Sequence, residues 1–329
     1  MLVLDDDAVR AALKPEQCEA AMVDALIAHA EGRGSFPLRT VTNPPGAGAM
    51  LGMMPAHLAG APGSFALKAV CMVEANHARG LDTHQGLVAL FSAETGVATA
   101  ILNASAITEI RTAAVTAAAT RALARADAEV IAIVGAGVQG RAHLRALHGV
   151  RPWSEVRIAS RTPSRATTLA ADASALLGDD ATVVVAPDAE AAITGADVIV
   201  LATSSREPVI NRDWLAAGGH VNAVGASSPT ARELDVRTVA DAALFCDSRE
   251  SLLNEALEFR LAREEGAIDG ESHIRAELGE LFSGRHPGRR DATELTLFRS
   301  LGVGIEDLAA AELAVVRARE LGLGTEVSL

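Results

Sequence analysis

From Ala128 onward the sequence alternates short apolar runs with helical stretches, an order that few folds accept. The runs are EVIAIVGAG, EVRIASR, TVVVA, ADVIVLATS, GHVNAVGAS and AALFCD. An apolar run without polar alternation is buried on both faces, as in a parallel sheet covered by helices on either side. The order therefore predicts an α/β, doubly wound domain.

The first run leads into IVGAGVQGRAHL, where Gly135, Gly137 and Gly140 fall in G-x-G-x-x-G spacing between a strand and a helix. The first glycine permits a tight turn, the second lets a pyrophosphate approach the backbone, and the third lets the helix pack closely. The loop, with Val138 and Gln139 inside it, predicts a Rossmann-type dinucleotide site; the alternative is a glycine-rich turn that has lost one. After the second run stand Ser160, Arg161, Thr162 and Arg165. An NAD site commonly carries an acidic residue there for the ribose 2′-hydroxyl. Hydroxyls and guanidinium groups suit a 2′-phosphate, so NADPH is expected over NADH. The competing reading is a pair of solvated arginines at a helix start.

Upstream of Ala128 the patterning differs. Pro15 to Glu31 is helical, FPLRTVTN and AMLGMMPAH read as short strands, and GLVALFSAETGVATAILN alternates about AETG as a hairpin. A long Ala/Thr-rich helix follows, from about Ala104 to Ala126. In GSFALKAVCMV a single lysine interrupts an apolar strand, in a chain with 27 arginines and only two lysines, Lys14 and Lys68. A buried ammonium without a partner costs several kcal/mol or gives up its proton. Lys68 therefore either snorkels to water or faces an anion. Arg111, mid-helix in AITEIRTAAVTAAA, and Arg39, in FPLRTVTN, raise the same problem. With no acidic run nearby, the three cations predict a pocket for a carboxylate, with Lys68 supplying a movable proton. The last segment, from about Asp291 to Leu329, reads as helical after the sheet strands have run out, and is a candidate to rejoin the first domain.

Composition narrows the classes further. At 329 residues the chain suits two domains, and its 49% apolar content supports a large core. A net charge of −13 with 3% aromatics excludes a backbone-reading or base-stacking nucleic-acid binder. Cys18, Cys71 and Cys246 are odd in number and far apart, which predicts reduced thiols and a cytoplasmic protein. The start MLVLDDDAVR lacks a signal-peptide pattern, and no apolar run approaches the ~18 residues of a membrane span. The nine histidines form no cluster with ligand spacing, so no metal is expected.

The stretches MMPAH, ALKAV, THQGLVALF, ITEIRTAAVTA, IVGAGVQGRAHL, GADVIVLATS, GGHVNAVGASSP, RELD and SLGVGIEDLAAA occur in an order that resembles the ornithine cyclodeaminase/mu-crystallin family, from about Arg39 to the end. The resemblance implies a homodimer of two-domain subunits. An α+β substrate-binding and dimerisation domain would comprise residues 1–122 and 302–329, with a Rossmann domain over 123–301. It implies that Arg39, Lys68 and Arg111 sit at the substrate carboxylate, with Lys68 near the reacting C–N bond. Asn76 and the run from Thr83 to Gly86 would lie by the cleft, and Met53 would either line the pocket or simply pack. For the cofactor the resemblance implies Thr112, Ala202, Thr203, Ser204, Val224 and Gly225, with Ser300 to Gly302 closing over the nicotinamide side.

One departure separates branches of that family. Cyclodeaminating members resemble GADxPGKxEL after the fifth sheet strand, with an aspartate that handles the substrate amine. This chain reads GASSPTAREL, so Ser227 takes the aspartate's place. The mu-crystallin branch, with GAS here, resembles NADPH-dependent ketimine reductases. The first reading is thus a reductase of small 2-imino acids such as pyrroline- or piperideine-2-carboxylate, or a related amino-acid dehydrogenase acting on a 2-keto acid and an amine. An ornithine cyclodeaminase and a non-catalytic NADPH- or small-ligand-binding protein are the alternatives.

Overall fold

A computed structural model describes residues 1–60 and 63–328. In chain order the first elements are β1 (Leu2–Leu4), α1 (Asp6–Ala12), α2 (Pro15–Ala30), β2 (Gly34–Ser35), β3 (Thr40–Thr42), β4 (Met50–Leu58), β5 (Ser64–Met72), β6 (His84–Ser92), β7 (Ala98–Asn103) and α3 (Ala104–Leu123). Next come β8 (Val130–Val134), α4 (Val138–Leu147), β9 (Glu155–Ala159), α5 (Pro163–Leu177), β10 (Thr182–Val185), α6 (Ala189–Ile193), β11 (Val198–Leu201), β12 (His220–Ala223), α7 (Val236–Asp241) and β13 (Ala243–Cys246). The chain ends with α8 (Arg249–Glu255), α9 (Leu257–Glu264), β14 (Ile274–Glu277), α10 (Leu278–Phe282), β15 (Thr296–Arg299), α11 (Gly304–Leu321) and β16 (Thr325–Glu326). The described residues form two compact units, Met1–Arg111 with Val303–Leu329, and Thr112–Gly302.

The first unit is α+β. Its sheet runs β16-β1-β7-β6-β5-β4-β2, with β3 also paired to β4. β4, β5, β6 and β7 form an antiparallel meander, and β1 joins β7 in parallel. Successive side chains alternate between faces, so the register sorts them. Ala66, Lys68 and Val70 of β5 share a face with Ala56, Met54 and Gly52 of β4. α11 packs on β4, β5 and β6. It starts so close to β4 that a Cβ on Gly304 would lie 2.9 Å from the Pro55 carbonyl oxygen.

The second unit is a Rossmann-type, doubly wound domain. Its strands, all parallel, run β10-β9-β8-β11-β12-β15-β13-β14. Ile131 and Ile133 of β8 face one apolar cluster with Leu144, Leu147, Trp153 and Leu169. Ala132 and Val134 face the other, with Ile199, Leu201, Leu252 and Phe259. Both faces are thus covered, which is why these strands lack polar alternation.

The C-terminal segment departs from the sequence reading. Thr296–Arg299 is not helical: it is a fully buried strand inserted between β12 and β13. The strands therefore do not run out at AALFCD, and β14 is a further addition at the edge. A four-residue run buried on both faces has no periodicity of its own, and its partners are remote in sequence. Helix resumes only at Gly304. FPLRTVTN is extended only over Thr40–Thr42, leaving Arg39 immediately outside β3, and β4 is one strand of nine residues.

Candidate active site

Lys68 lies on the α11 side of the first unit's sheet, opposite Met54 on β4 and Val88 on β6. It is 5% exposed. Ala66, before it on this face, is buried, whereas Val70, beyond it, is half-buried. Gly52, beside Val70, adds no bulk, since a Cβ there would meet only the Val70 carbonyl at 3.9 Å. Lys68 therefore stands where the covered part of the face gives way to the open part.

Its partners are internal. Lys68 Nζ lies 2.7 Å from Asp307 Oδ2 and donates to Thr108 Oγ1 at 3.3 Å. Arg111 donates from Nε to Asp307 Oδ1 at 3.0 Å and from Nη1 to Glu306 Oε2 at 2.8 Å. Glu306 and Asp307 occupy the first turn of α11, where the helix dipole also favours carboxylates. All four charged groups are buried.

The cations thus do not lack acidic partners. Their burial therefore does not by itself demand a ligand anion, because α11 delivers two carboxylates that the sequence left unassigned. A signal was present: IED is an adjacent acidic pair in an otherwise apolar, alanine-rich stretch. Burial pushes Lys68 down to about 8; Asp307 opposes this, while Arg111 and Arg39 push further down. Burial works against the charge of Asp307 too, but Arg111 and Lys68 outweigh it and hold its carboxyl below the usual range. The site therefore presents, near neutral pH, a fixed ammonium that gives up its proton more readily than an ordinary lysine.

Other expected substrate contacts scatter. Arg39 is half-buried and close enough to act on Lys68. Asn76 is buried and donates to the Asp82 carbonyl at 3.1 Å, so it braces the turn before β6. His84, at the start of β6, lies within the electrostatic reach of Lys68. Met53 is in register with Ala69 and Leu87, on the face away from Lys68. Met54 is the methionine beside the lysine.

In the second unit the glycine loop has the geometry its spacing predicts. Gly135 adopts φ 110°, and a Cβ there would lie 2.3 Å from the Ala202 carbonyl oxygen. Gly137 caps α4 with nothing within 4 Å of a would-be Cβ, leaving open space over the helix N-terminus. A Cβ on Gly140 would lie 1.9 Å from the Gly135 carbonyl oxygen, so the third glycine closes the loop upon itself. Val138 is exposed, and the buried Oε1 of Gln139 has no hydrogen-bond partner. Open backbone amides at a helix N-terminus fit a pyrophosphate.

Apart from Thr112, the remaining nucleotide candidates follow the C-terminal ends of the strands, where open α/β sheets bind ligands. Ser160 follows β9 and its hydroxyl accepts the Thr162 amide at 3.3 Å; Arg161, Thr162 and Arg165 are exposed. Ala202, Thr203 and Ser204 follow β11, while Val224, Gly225 and the exposed Ser227 follow β12. Ser300 is buried with its amide on the Ala223 carbonyl, and Gly302 donates to Asp247 at 2.7 Å. Thr112 is buried in α3, where its carbonyl accepts the Thr116 hydroxyl at 2.9 Å. Glu233, Asp247 and Arg299, which brace these loops, were not among the sequence candidates. Among the described residues no group of His, Cys, Asp and Glu could hold a metal ion.

The sequence profile of the ornithine cyclodeaminase/mu-crystallin family matches residues 2–321. The chain belongs to this family. It is 38% identical to the ketimine reductase mu-crystallin of Mus musculus over 277 residues, 84% of this chain and 83% of that protein. Among solved structures, the Thermococcus litoralis Delta(1)-pyrroline-2-carboxylate reductase in complex with NADH and L-proline superposes with a TM-score of 0.94. It shows 34% identity and covers 99% of this chain and 100% of that one. An archaeal alanine dehydrogenase dimer with bound NAD gives a TM-score of 0.92 at 30% identity, over 100% of this chain and 99% of that one.

Proposed function

We propose that this chain is a nicotinamide-dependent reductase of small 2-imino acids, with cyclic ketimine carboxylates such as pyrroline-2-carboxylate as the leading substrates. The observation that carries the reading is the Lys68 ammonium, held by Asp307 at the open edge of its sheet face, beside Arg39 and Arg111. The named activities of the family relatives support the same chemistry.

The first unit takes the substrate. The cations Lys68, Arg39 and Arg111 together suit a substrate carboxylate. Arg39 provides the fork for it, and Arg111, tethered by Glu306 and Asp307, adds positive potential. Lys68 donates a proton to the imine nitrogen as the C=N bond is reduced. The cofactor, when bound, supplies the hydride that the imine carbon receives. Hydride and proton together convert the imine to the amine. Ser227 carries no charge to hold a substrate ammonium, which favours this reading over cyclodeamination.

For the cofactor we propose NADPH, from Arg161, Arg165, Ser160 and Thr162 at the end of β9. We propose a homodimer through the sheet face opposite α11. That face carries Leu51, Met53, Leu67 and Phe91 with Phe65 and Leu87, the last two 48% and 38% exposed. An apolar face of this kind is a liability on a monomer, and one neighbour in fold is a dimer. For the location we propose the cytoplasm, a reading that the three free cysteines support. Among the described residues no helix is long and apolar enough to cross a membrane.

The test is a nicotinamide absorbance assay. Pyrroline-2-carboxylate, piperideine-2-carboxylate, or pyruvate with ammonia or methylamine is offered with NADPH or NADH. Oxidation that prefers NADPH and is lost in Lys68→Ala is the expected result. Ammonia release from ornithine with NAD, and no imine reduction, overturns the proposal.

A further inference from the structure

We propose that Asp307 is the positioning residue of the site: through one carboxylate shared between Lys68 and Arg111, it holds the Lys68 ammonium in place and charged. This deepens the reductase reading, and rests on it only in taking Lys68 as the acid.

The geometry singles out Asp307 among everything around the lysine. α3 contributes Thr108, a neutral contact at 3.3 Å, and Arg111, a like charge. The segment before β3 contributes Arg39, another like charge. The adjacent strands contribute Met54 and Val88 opposite the lysine, and β6 also brings His84, itself under the influence of Asp82. α11 contributes Asp307 and Glu306, and Glu306 is spent on Arg111. Burial, Arg111 and Arg39 all disfavour the ammonium, whereas the charge of Asp307, 2.7 Å from Nζ, favours it.

Position is coupled to charge. Asp307 Oδ1 is fixed by Arg111 Nε at 3.0 Å, which orients Oδ2 toward Nζ at 2.7 Å. Arg111 is in turn fixed by Glu306. The absence of a side chain at Gly304 lets the first turn of α11 approach β4 closely enough to make these contacts. A displacement of about 1 Å at a reacting group is enough to cost on the order of 100-fold in rate.

The chain's two lysines make the test direct. Protein labelled with 13C at lysine Cε shows one signal for Lys14 and one for Lys68, and each titrates with its own amine. In the wild type the Lys68 signal is expected to titrate near 8, together with the alkaline limb of kcat. In Asp307→Asn both are expected to move at least about one pH unit toward acid, so that activity survives at pH 6 and is lost at pH 8. The Kd for NADPH is expected to stay unchanged. A Lys68 signal that titrates as in the wild type, or a kcat reduced by the same factor at every pH, overturns the proposal.

Should Asp307→Asn not fold, Asp307→Glu keeps the charge and moves it by one methylene. The titration is then expected to stay near that of the wild type while kcat falls on the order of 10- to 100-fold. An unchanged kcat overturns the positioning role. The NMR titration needs no substrate, so a chain that reduces no imino acid but shows the Asp307-dependent shift refutes the reaction and leaves this inference standing.

Discussion

The amide and the hydroxyl of Thr203 both donate to one oxygen of Glu233, at 2.6 and 2.8 Å. The other oxygen accepts the amides of Gly225 and Ala226 at 2.7 and 3.2 Å. One buried carboxylate thereby joins the loops after β11 and β12. Burial raises its pKa, and these donors oppose the rise. Glu233→Gln would turn an amide group toward backbone donors and leave some of them unmet. The substitution is expected to cost about 2–4 kcal/mol of stability in denaturant unfolding. It is also expected to weaken NADPH binding roughly 10-fold.

The glycine loop separates a folding role from a binding role. Gly137→Ala has room in the fold, since nothing lies within 4 Å of the added Cβ. This variant is expected to melt like the wild type yet bind NADPH at least about 10-fold more weakly, because its methyl occupies the pyrophosphate's approach. In Gly140→Ala the Cβ would fall 1.9 Å from a backbone oxygen. That variant is expected to lose stability and binding together. Calorimetry with cofactor titration distinguishes the two.

Replacement of both Arg161 and Arg165 by Ala tests the cofactor choice. Loss of charge-assisted bonds to a 2′-phosphate is expected to raise KM for NADPH about 10- to 100-fold. KM for NADH should change little, because NADH lacks that phosphate. A parallel loss for both cofactors would assign the arginines another role.

Phe65→Asp combined with Leu87→Asp charges the exposed apolar face of the antiparallel sheet without touching the Lys68 face. Analytical ultracentrifugation is expected to give twice the 33.9 kDa chain mass for the wild type and a single chain for the variant. A monomeric wild type would refute the homodimer.

His143 and His220 predict an acid limit to stability. Burial, the largest influence on each, pushes them down to about 4 and about 3. His220 lies between Thr296 Oγ1 at 2.9 Å and Asn222 Oδ1 at 3.1 Å, and His143 between the Gln139 carbonyl and Thr116. Unfolded histidines take up protons near 6.5, before these folded ones do, so stability falls as pH drops from about 6.5 toward 4. The two together contribute a slope of about 2.5 kcal/mol per pH unit near pH 5. His220→Gln is expected to remove roughly half of it, as read by denaturant midpoints against pH.

Much of this architecture was legible in the sequence. The parallel sheet followed from apolar runs without alternation, and the nucleotide loop from three glycines whose requirements are local. Lys68 was legible as an anomaly, because a charge inside an apolar strand requires compensation wherever that strand goes. Other features were not legible. Met53 and Met54 differ by one position and lie on opposite faces, a distinction that register alone decides.

The sequence by itself determined which segments bury their backbones, where the chain turns, and which residue would need a counter-charge. Those depend on neighbours along the chain, through periodicity and sterics. Only the tertiary structure decided what the counter-charge is. Glu306 and Asp307 read as acidic residues in the first turn of a helix, a place the helix dipole favours on any α-helix. Arg111 and Asp307 are 196 residues apart in sequence and meet because α11 returns to the first unit's sheet at Gly304. The insertion of β15 between β12 and β13 is of the same kind. A pairing between distant segments gains its free energy from packing that exists only once the fold has closed, so no local pattern announces it.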